Sequence, residues 1–262
     1  MKVWIRGAGE LASGTAWTLK RCGWSVLLTE LPLPLAIRRP VTFSDAMLER
    51  ETEVEGIRAQ RVADPTPADW HRDWIPVTED RPERVLALNP RVIIDARMRK
   101  QAVPDRREWA ALVIGLGPGF TVGVNCSAAV ETRRGHDLGR VLWQGSPAAD
   151  TRRPGTLGGA SWKRVLYAPA SGPLEWQVTF GDLVEEGNRL GTIAGRHPIV
   201  APLSGQVRGL LHPAVPVHRG LKLADVDPRG AEVDYRTLSD KARTVGRAAL
   251  EAILTAQQEG RL

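Results

Sequence analysis

Val3-Trp4-Ile5 is a short apolar run that stops at Gly7-Ala8-Gly9-Glu10-Leu11-Ala12-Ser13-Gly14. An amphipathic segment follows to Cys22, and then a second apolar run, Val26-Leu27-Leu28, ends in Thr29 and Glu30. Two apolar runs separated by a glycine turn and one helix length read as strand, loop, helix, strand. The spacing G-x-G-x-x-A gives each small residue a physical task. Gly7 allows the tight turn, Gly9 lets the backbone approach a pyrophosphate, and Ala12 permits close helix packing. Backbone N–H groups at the start of the helix, with its dipole, favour negative phosphates. The residues assigned to this cradle are Gly7, Ala8, Gly9, Glu10, Leu11, Ala12 and Ser13. Glu30 stands 23 positions after Gly7, at the end of the second strand, where an acid can accept hydrogen bonds from a ribose 2′-OH. The competing reading is a βαβ unit whose glycines serve only the turn.

The rest of the chain narrows the class of ligand. Lys and Arg exceed Asp and Glu by 36 to 30, a formal charge of +6. The excess is mostly arginine and scattered, which suits an anionic small molecule or an acidic partner. No aromatic interleaving of the kind a nucleic-acid surface needs accompanies it, so nucleic acid is not expected. Cys22 and Cys126 have no paired spacing and point to a reducing cytoplasm without structural zinc. Arg6 and Glu10 interrupt any signal-peptide core, and no apolar stretch has the length of a membrane span. The expected location is the cytoplasm.

Beyond Glu30, Leu31-Pro32-Leu33-Pro34-Leu35 cannot continue a central strand, because proline lacks the ladder donor. Arg38 and Arg39 follow and are candidates for a 2′-phosphate or another anion; a solvated arginine pair is the alternative, and NAD against NADP stays open. Val92-Ile93-Ile94-Asp95-Ala96 reads as a buried parallel strand that delivers Asp95, with Arg97 and Lys100 beyond it, to the carboxyl edge where ligands bind in such sheets. A strand-end aspartate is also a common helix cap. Leu112-Val113-Ile114 then runs into Gly115-Leu116-Gly117-Pro118-Gly119-Phe120, so Gly115, Gly117 and Gly119 can close over a ligand from the other side or form only a tight connection.

Cys126, Glu131 and His136 are the weak catalytic candidates. A reactive thiolate needs an electropositive, partly exposed setting, which Arg133, Arg134 and His136 would supply if the chain folds back; otherwise Cys126 is an inert buried thiol. No Ser-His-Asp spacing, metal-ligand cluster or Walker-type motif is present.

A duplication occupies the stretch from about Arg164 to Asp227. Ala168-Pro169-Ala170-Ser171-Gly172 matches Ala201-Pro202-Leu203-Ser204-Gly205, and Val184, Gly187 and Leu190 match Val217, Gly220 and Leu223, both at an offset of 33 residues. The pattern resembles the barrel-sandwich hybrid of biotinyl and lipoyl carrier domains. Those carriers use a lysine on the central hairpin, here Ala194-Gly195-Arg196-His197-Pro198, and no lysine lies between Lys163 and Lys222. No covalent lipoyl or biotin is therefore expected, and a structural or docking module is the better reading. Ser239 is a plausible N-cap for a helix to about Gln258 with Ala242, Val245, Ala249, Ile253 and Ala256 on its apolar face, joined by Leu250 and Leu254.

Several segments together resemble a known family, the YqeB-type accessory proteins of selenium-dependent molybdenum hydroxylases. They are Ile5 to Gly14, Thr29-Glu30-Leu31-Pro32, Ala36-Ile37-Arg38-Arg39, Ile114 to Phe120, Val130-Glu131-Thr132, Arg134-Gly135-His136 and Leu138-Gly139-Arg140. The resemblance implies a maturation or cofactor-insertion role for a molybdenum hydroxylase client, with a Rossmann-like domain similar to that of the xanthine dehydrogenase accessory proteins. Asp95 to Lys100 departs from the pattern, with Arg97 and Arg99 where the family has smaller apolar residues.

The expected architecture is α/β. Residues 1–163 form a Rossmann-like parallel sheet with helices, 164–228 a small all-β barrel-sandwich hybrid, and 229–262 a linker and helix. The expected function is accessory factor binding a nucleotide, either NAD(P) or a molybdopterin dinucleotide. The alternatives are an NAD(P)-dependent oxidoreductase and a non-catalytic interaction protein. A homodimer is compatible with the final helix.

Overall fold

The computed structural model describes residues 1–99, 101, 106–150 and 162–262, and Lys100 lies outside them. The chain divides into two units. Met1–Pro32, Thr42–Thr151 and Leu238–Leu262 make the first; Leu33–Val41 and Arg152–Thr237 make the second.

The first unit contains β1 (Lys2–Arg6), α1 (Glu10–Arg21), β2 (Ser25–Glu30), α2 (Ala46–Glu49), β3 (Glu51–Val54), β4 (Ile57–Arg61), β5 (Ile75–Glu79), α3 (Pro82–Leu86), β6 (Val92–Asp95), β7 (Leu112–Leu116), β8 (Ala128–Val130), β9 (Val141–Leu142) and α4 (Asp240–Gln258). Its nine-stranded sheet has the order β3-β4-β5-β2-β1-β6-β7-β8-β9. Strands β4 to β8 of that row run parallel, while β3 and β9 run antiparallel to their neighbours at the two edges. Trp4, Leu27, Ile93, Val113 and Ala129, one from each of five strands, pack on one face with Trp70, Val85, Phe120 and Cys126.

This corrects the expected fold. The sheet is mixed, and among the described residues only α1 and α4 are helices of more than five residues. The reason lies in the connections. Pro32, Pro34 and Pro40 keep the chain after β2 out of a helix, and it returns to the sheet through the β3–β4 hairpin instead. The turn of that hairpin, Glu55-Gly56, has positive φ at both residues (44° and 79°), as a two-residue hairpin loop requires.

Helix α4 packs along α1. Ser239 caps it, its hydroxyl accepting the Ala242 amide at 3.2 Å, and Ala242, Val245, Ala249, Ile253 and Ala256 are buried, whereas Leu254 is half-exposed. Glycines set the approach. A Cβ on Gly14 would stand 2.6 Å from the Ala242 carbonyl oxygen, and one on Gly246 would stand 2.6 Å from the Gly14 oxygen.

The second unit contains β10 (Val165–Tyr167), β11 (Leu174–Trp176), β12 (Leu183–Val184), β13 (Arg189–Ile193), β14 (His197–Val200), β15 (Gly205–Leu210) and β16 (Lys222–Asp227). Where a barrel-sandwich hybrid was expected, they form separate antiparallel sheets, β10-β16-β15-β12 and β11-β13-β14. The repeat is written into the hydrogen bonding. Gly187 N–H donates to the Ala201 carbonyl at 2.9 Å, and Gly220 N–H, 33 residues on, donates to that of Ala168, again at 2.9 Å. Ala201 N–H donates to the Asn188 carbonyl and Ala168 N–H to the Leu221 carbonyl, both at 2.8 Å. Each half is thus tied to the other by the same bonds in reverse. Leu190, Ile193, Val207, Leu223 and Val226 fill the core. A buried ionic ladder runs beside it: Arg164 and Arg208 bind Asp225, and Arg208 and Arg229 bind Asp227 at 2.8 and 2.7 Å.

Candidate functional site

Parallel pairing aligns the carboxyl ends of the central strands. Thr29 of β2, Arg6 of β1, Asp95 of β6 and Gly115 of β7 are successive register partners, one row across the sheet edge. Strand β1 is the point where the chain's path divides, since β2 adds on one side and β6 on the other. In open parallel sheets the crevice outside such a point is where ligands bind.

The Gly7–Gly9 loop leaves β1 at that crevice. Gly7 has φ +95°, and a Cβ there would lie 3.2 Å from the backbone of Ala96 and Arg97, so the fold itself demands glycine. Gly9 is different. Its φ of −68° suits any residue, and a Cβ added to it would meet nothing within 4 Å. Gly9 is also the N-cap of α1 and supplies no side-chain cap. Gly9, Glu10 and Leu11 are partly exposed, while Ala12 and Ser13 are buried. Ser13 holds the loop from beneath, its hydroxyl donating to the Ala8 carbonyl at 2.9 Å and accepting the Phe43 amide at 2.8 Å.

Glu30 closes the loop from the side. Its carboxylate accepts the Ala8 amide at 2.7 Å and the Leu31 amide at 2.8 Å. Burial pushes its carboxyl above the ordinary range; the Leu31 and Ala8 amides pull the other way, and the charge of Asp80 adds to the rise.

Sequence reasoning missed the ionic network behind this edge. Arg6 is buried, lies over the Trp4 and Trp109 rings at 5.2 and 5.6 Å, and donates to Asp80 at 3.1 and 2.7 Å. Thr29 donates its hydroxyl to Asp80 at 2.7 Å and accepts Trp4 Nε1–H at 3.0 Å. Arg97 binds Asp95 through Nε at 3.0 Å and reaches Asp80 at 3.4 Å. Burial works against the charged form of Asp80, but the hydrogen bond and charge of Arg6, with Thr29 and Arg97, outweigh it and hold the carboxyl below the ordinary range. Asp95 is buried and its carboxylate also takes the Arg97 amide at 3.0 Å. Pro76 inside β5 disguised the strand that carries Asp80 to this place.

The second glycine turn is accounted for by its own chain. A Cβ on Gly115 would lie 2.0 Å from the Phe120 ring, one on Gly117 2.5 Å from the Thr132 hydroxyl, and one on Gly119 2.3 Å from the Gln101 carbonyl oxygen. Arg38 and Arg39 belong to the second unit, where Arg38 donates to the Thr237 carbonyl at 3.3 Å and Arg39 lies over the Phe180 ring at 5.7 Å.

The catalytic candidates are not brought together as a reacting group. Cys126 is fully buried, and burial pushes its thiol up to about 12 despite a hydrogen bond from the Gly115 amide, the setting of an inert cysteine. Glu131 is a loop staple, accepting the Arg133 and Ala148 amides, each at 2.6 Å. His136 is exposed. Among the described residues no group of three or more His, Cys, Asp or Glu is placed to hold a metal ion, and no helix is long and apolar enough to cross a membrane.

No protein-family model matches the chain. The chain is similar to an uncharacterized protein of Escherichia coli strain K12, YqeB, with 41% identity over 259 residues that take in 98% of this chain and 48% of that protein. It therefore spans about half the length of the curated relative it matches. Among solved structures, it resembles a succinylglutamate desuccinylase/aspartoacylase from Rhodobacter sphaeroides at 22% identity, covering 32% of this chain and 29% of that one with a TM-score of 0.23. An aspartoacylase family protein from Mesorhizobium loti matches at 10% identity over 86% and 84% of the two chains, TM-score 0.29. The ectoine utilization protein EutE from Ruegeria pomeroyi matches at 13% identity over 77% and 57%, TM-score 0.25. Likenesses this low assign no chemistry. The relative is described only as uncharacterized and lends no support to a role in maturing a molybdenum hydroxylase. The expected accessory and maturation role, with its selenium dependence, is therefore withdrawn.

Proposed function

We propose that the first unit binds a nucleotide-type ligand through a phosphate group at the Gly7–Gly9 loop and the first turn of α1. One observation carries this reading: the fold explains Gly7 but not Gly9. The missing side chain at Gly9 opens onto unfilled space at the start of a helix, at the point where the strand order divides, and a phosphate there would meet backbone N–H groups and the positive end of the helix dipole. NAD(P) and a molybdopterin dinucleotide share the pyrophosphate that such a loop fits. The two unpaired thiols, Cys22 exposed and Cys126 buried, suit a cytoplasmic setting.

The test is calorimetric titration with NAD, NADP, ADP-ribose, FAD and ATP, run on the wild type and on Gly9→Val. At least one nucleotide binds the wild type, and Gly9→Val abolishes that binding while the melting temperature stays within the shift that about 1 kcal/mol of lost helix cap produces. Absence of binding by every nucleotide, or unchanged binding in Gly9→Val, refutes the reading.

A further inference from the structure

We propose that one end of the second unit, formed by Arg196, His218 and Arg219, docks an acidic segment of a partner protein.

The repeat supplies its own control for reading charge. The turn after Val217 is the turn after Val184 displaced by 33 residues, and the two are built alike. Gly187 and Gly220 take φ of +88° and +85°, and the amides of Glu186 and Arg219 donate to the Ser204 and Ser171 hydroxyls at 3.0 and 3.1 Å. Their exposed side chains differ in sign. Glu185 and Glu186 stand on the first turn, His218 and Arg219 on the second. A fold that builds the same turn with either charge requires neither, so the basic residues are available to something outside the fold.

Arg196 repeats the argument. It stands at the tip of the β13–β14 hairpin, and its counterpart 33 residues on is Arg229, which binds Asp227 at 2.7 Å. Ala194 stands where Asp227 does, so Arg196 has no such acid beside it. Glu175 of the adjacent β11 pairs in register with Thr192, back from the tip. Among the described residues neither Arg196 nor Arg219 forms an ion pair, whereas the buried Arg164 and Arg208 and the half-buried Arg229 all do. Gly172 brings the two exposed arginines to one end. Its N–H donates to the Val217 carbonyl at 3.0 Å, and a Cβ on it would stand 2.9 Å from the Ala194 Cβ.

Exposed arginines without an internal acid fit the carboxylates of another chain, held by charge-assisted hydrogen bonds. A nucleic acid fits this unit worse. It needs a stripe of cations along its backbone and rings for its bases. Here the companion turn is acidic, and Phe180 and Tyr235 stack on each other at 6.4 Å with Arg39 and Arg236 over them at 5.7 and 4.9 Å.

The test is fluorescence anisotropy of a labelled oligoglutamate peptide against the full chain, at low and at physiological ionic strength. The wild type binds, more weakly in the higher salt. Arg196→Glu and Arg219→Glu each weaken binding by about 10-fold, whereas Arg189→Glu, an equal change of net charge at the exposed start of β13, changes it by less than about 2-fold. Melting temperatures check the fold, and Arg196→Ala and Arg219→Ala replace any reversal that lowers it. Absence of binding overturns the proposal. An equal loss in all three variants does so too, because it reveals attraction to net charge alone. Tighter binding of single-stranded DNA of matched charge, lost in the same two variants, overturns it in favour of a nucleic acid.

Discussion

The Glu30 carboxylate and the Ala8 amide, 22 residues apart in sequence, meet at 2.7 Å and join the end of β2 to the glycine loop of β1. The contact makes an acid part of the loop's own architecture. Glu30→Ala leaves the Ala8 amide without its acceptor in a largely buried place, a loss of about 1–3 kcal/mol. Denaturant unfolding of the variant shows it as a lower midpoint at unchanged slope.

The same residue predicts a pH dependence. Burial raises the Glu30 carboxyl in the folded state, so the folded protein holds this proton more tightly than the unfolded chain. Its contribution is fully present below the ordinary glutamate value of about 4.3 and is lost as pH rises through the higher folded value. Glu30→Gln removes that slope, and the difference in stability between variant and wild type changes across the same window. A constant difference from pH 4 to 8 contradicts the assignment.

Asp80 and Asp227 have the opposite sign. Both are held below the ordinary aspartate range against the effect of burial, Asp80 chiefly by Arg6 and Asp227 chiefly by Arg229. Their contribution is present above about pH 3.9 and disappears as pH falls through their lower folded values. Asp80→Ala removes the carboxylate to which the buried Arg6 donates at 3.1 and 2.7 Å and costs about 1–3 kcal/mol at neutral pH. Its loss is smaller in acid, where the wild type has already given up the pair.

Two glycines near one helix end should respond to different degrees. Gly14→Ala drives a Cβ to 2.6 Å from the Ala242 carbonyl oxygen and forces α1 and α4 apart, a cost of about 1–3 kcal/mol. Gly9→Ala meets no atom within 4 Å and costs no more than the about 1 kcal/mol of a weakened helix cap. Equal destabilisation by the two would mean that Gly9 is a packing residue.

Thiol labelling separates the cysteines. Cys22 is exposed and Cys126 buried, the latter with its thiol at about 12. Iodoacetamide at neutral pH modifies one site in the folded protein and two after denaturation.

Much of the β1–α1–β2 unit was legible because its signals are local: an apolar run, a glycine turn, a helical period and an acid at the second strand's end. The Ser239 cap was legible for the same reason. The Arg6–Asp80 pair joins residues 74 apart and leaves no local trace. Gly115, Gly117 and Gly119 show why a glycine pattern is ambiguous, since a close approach by Phe120, Thr132 or Gln101 demands glycine as strictly as a ligand does. The edge strands were hidden as well. Whether β3 and β9 run with or against the sheet is decided by their connections, which their few residues do not encode.

The crosswise bonds of the second unit bear on how it can be taken apart. Because Gly187, Asn188 and Ala201 serve the other half as Gly220, Leu221 and Ala168 serve theirs, neither half carries its own partners for these four bonds. A fragment holding one half presents edges that only another half can satisfy, and it meets them by exchange with a second copy of itself. The Ala194-Gly195 turn between β13 and β14 lies outside all four bonds. A cut there leaves all four crosswise bonds between the two pieces, so the pieces are expected to reassociate on mixing, with β13 and β14 pairing again as separate edges.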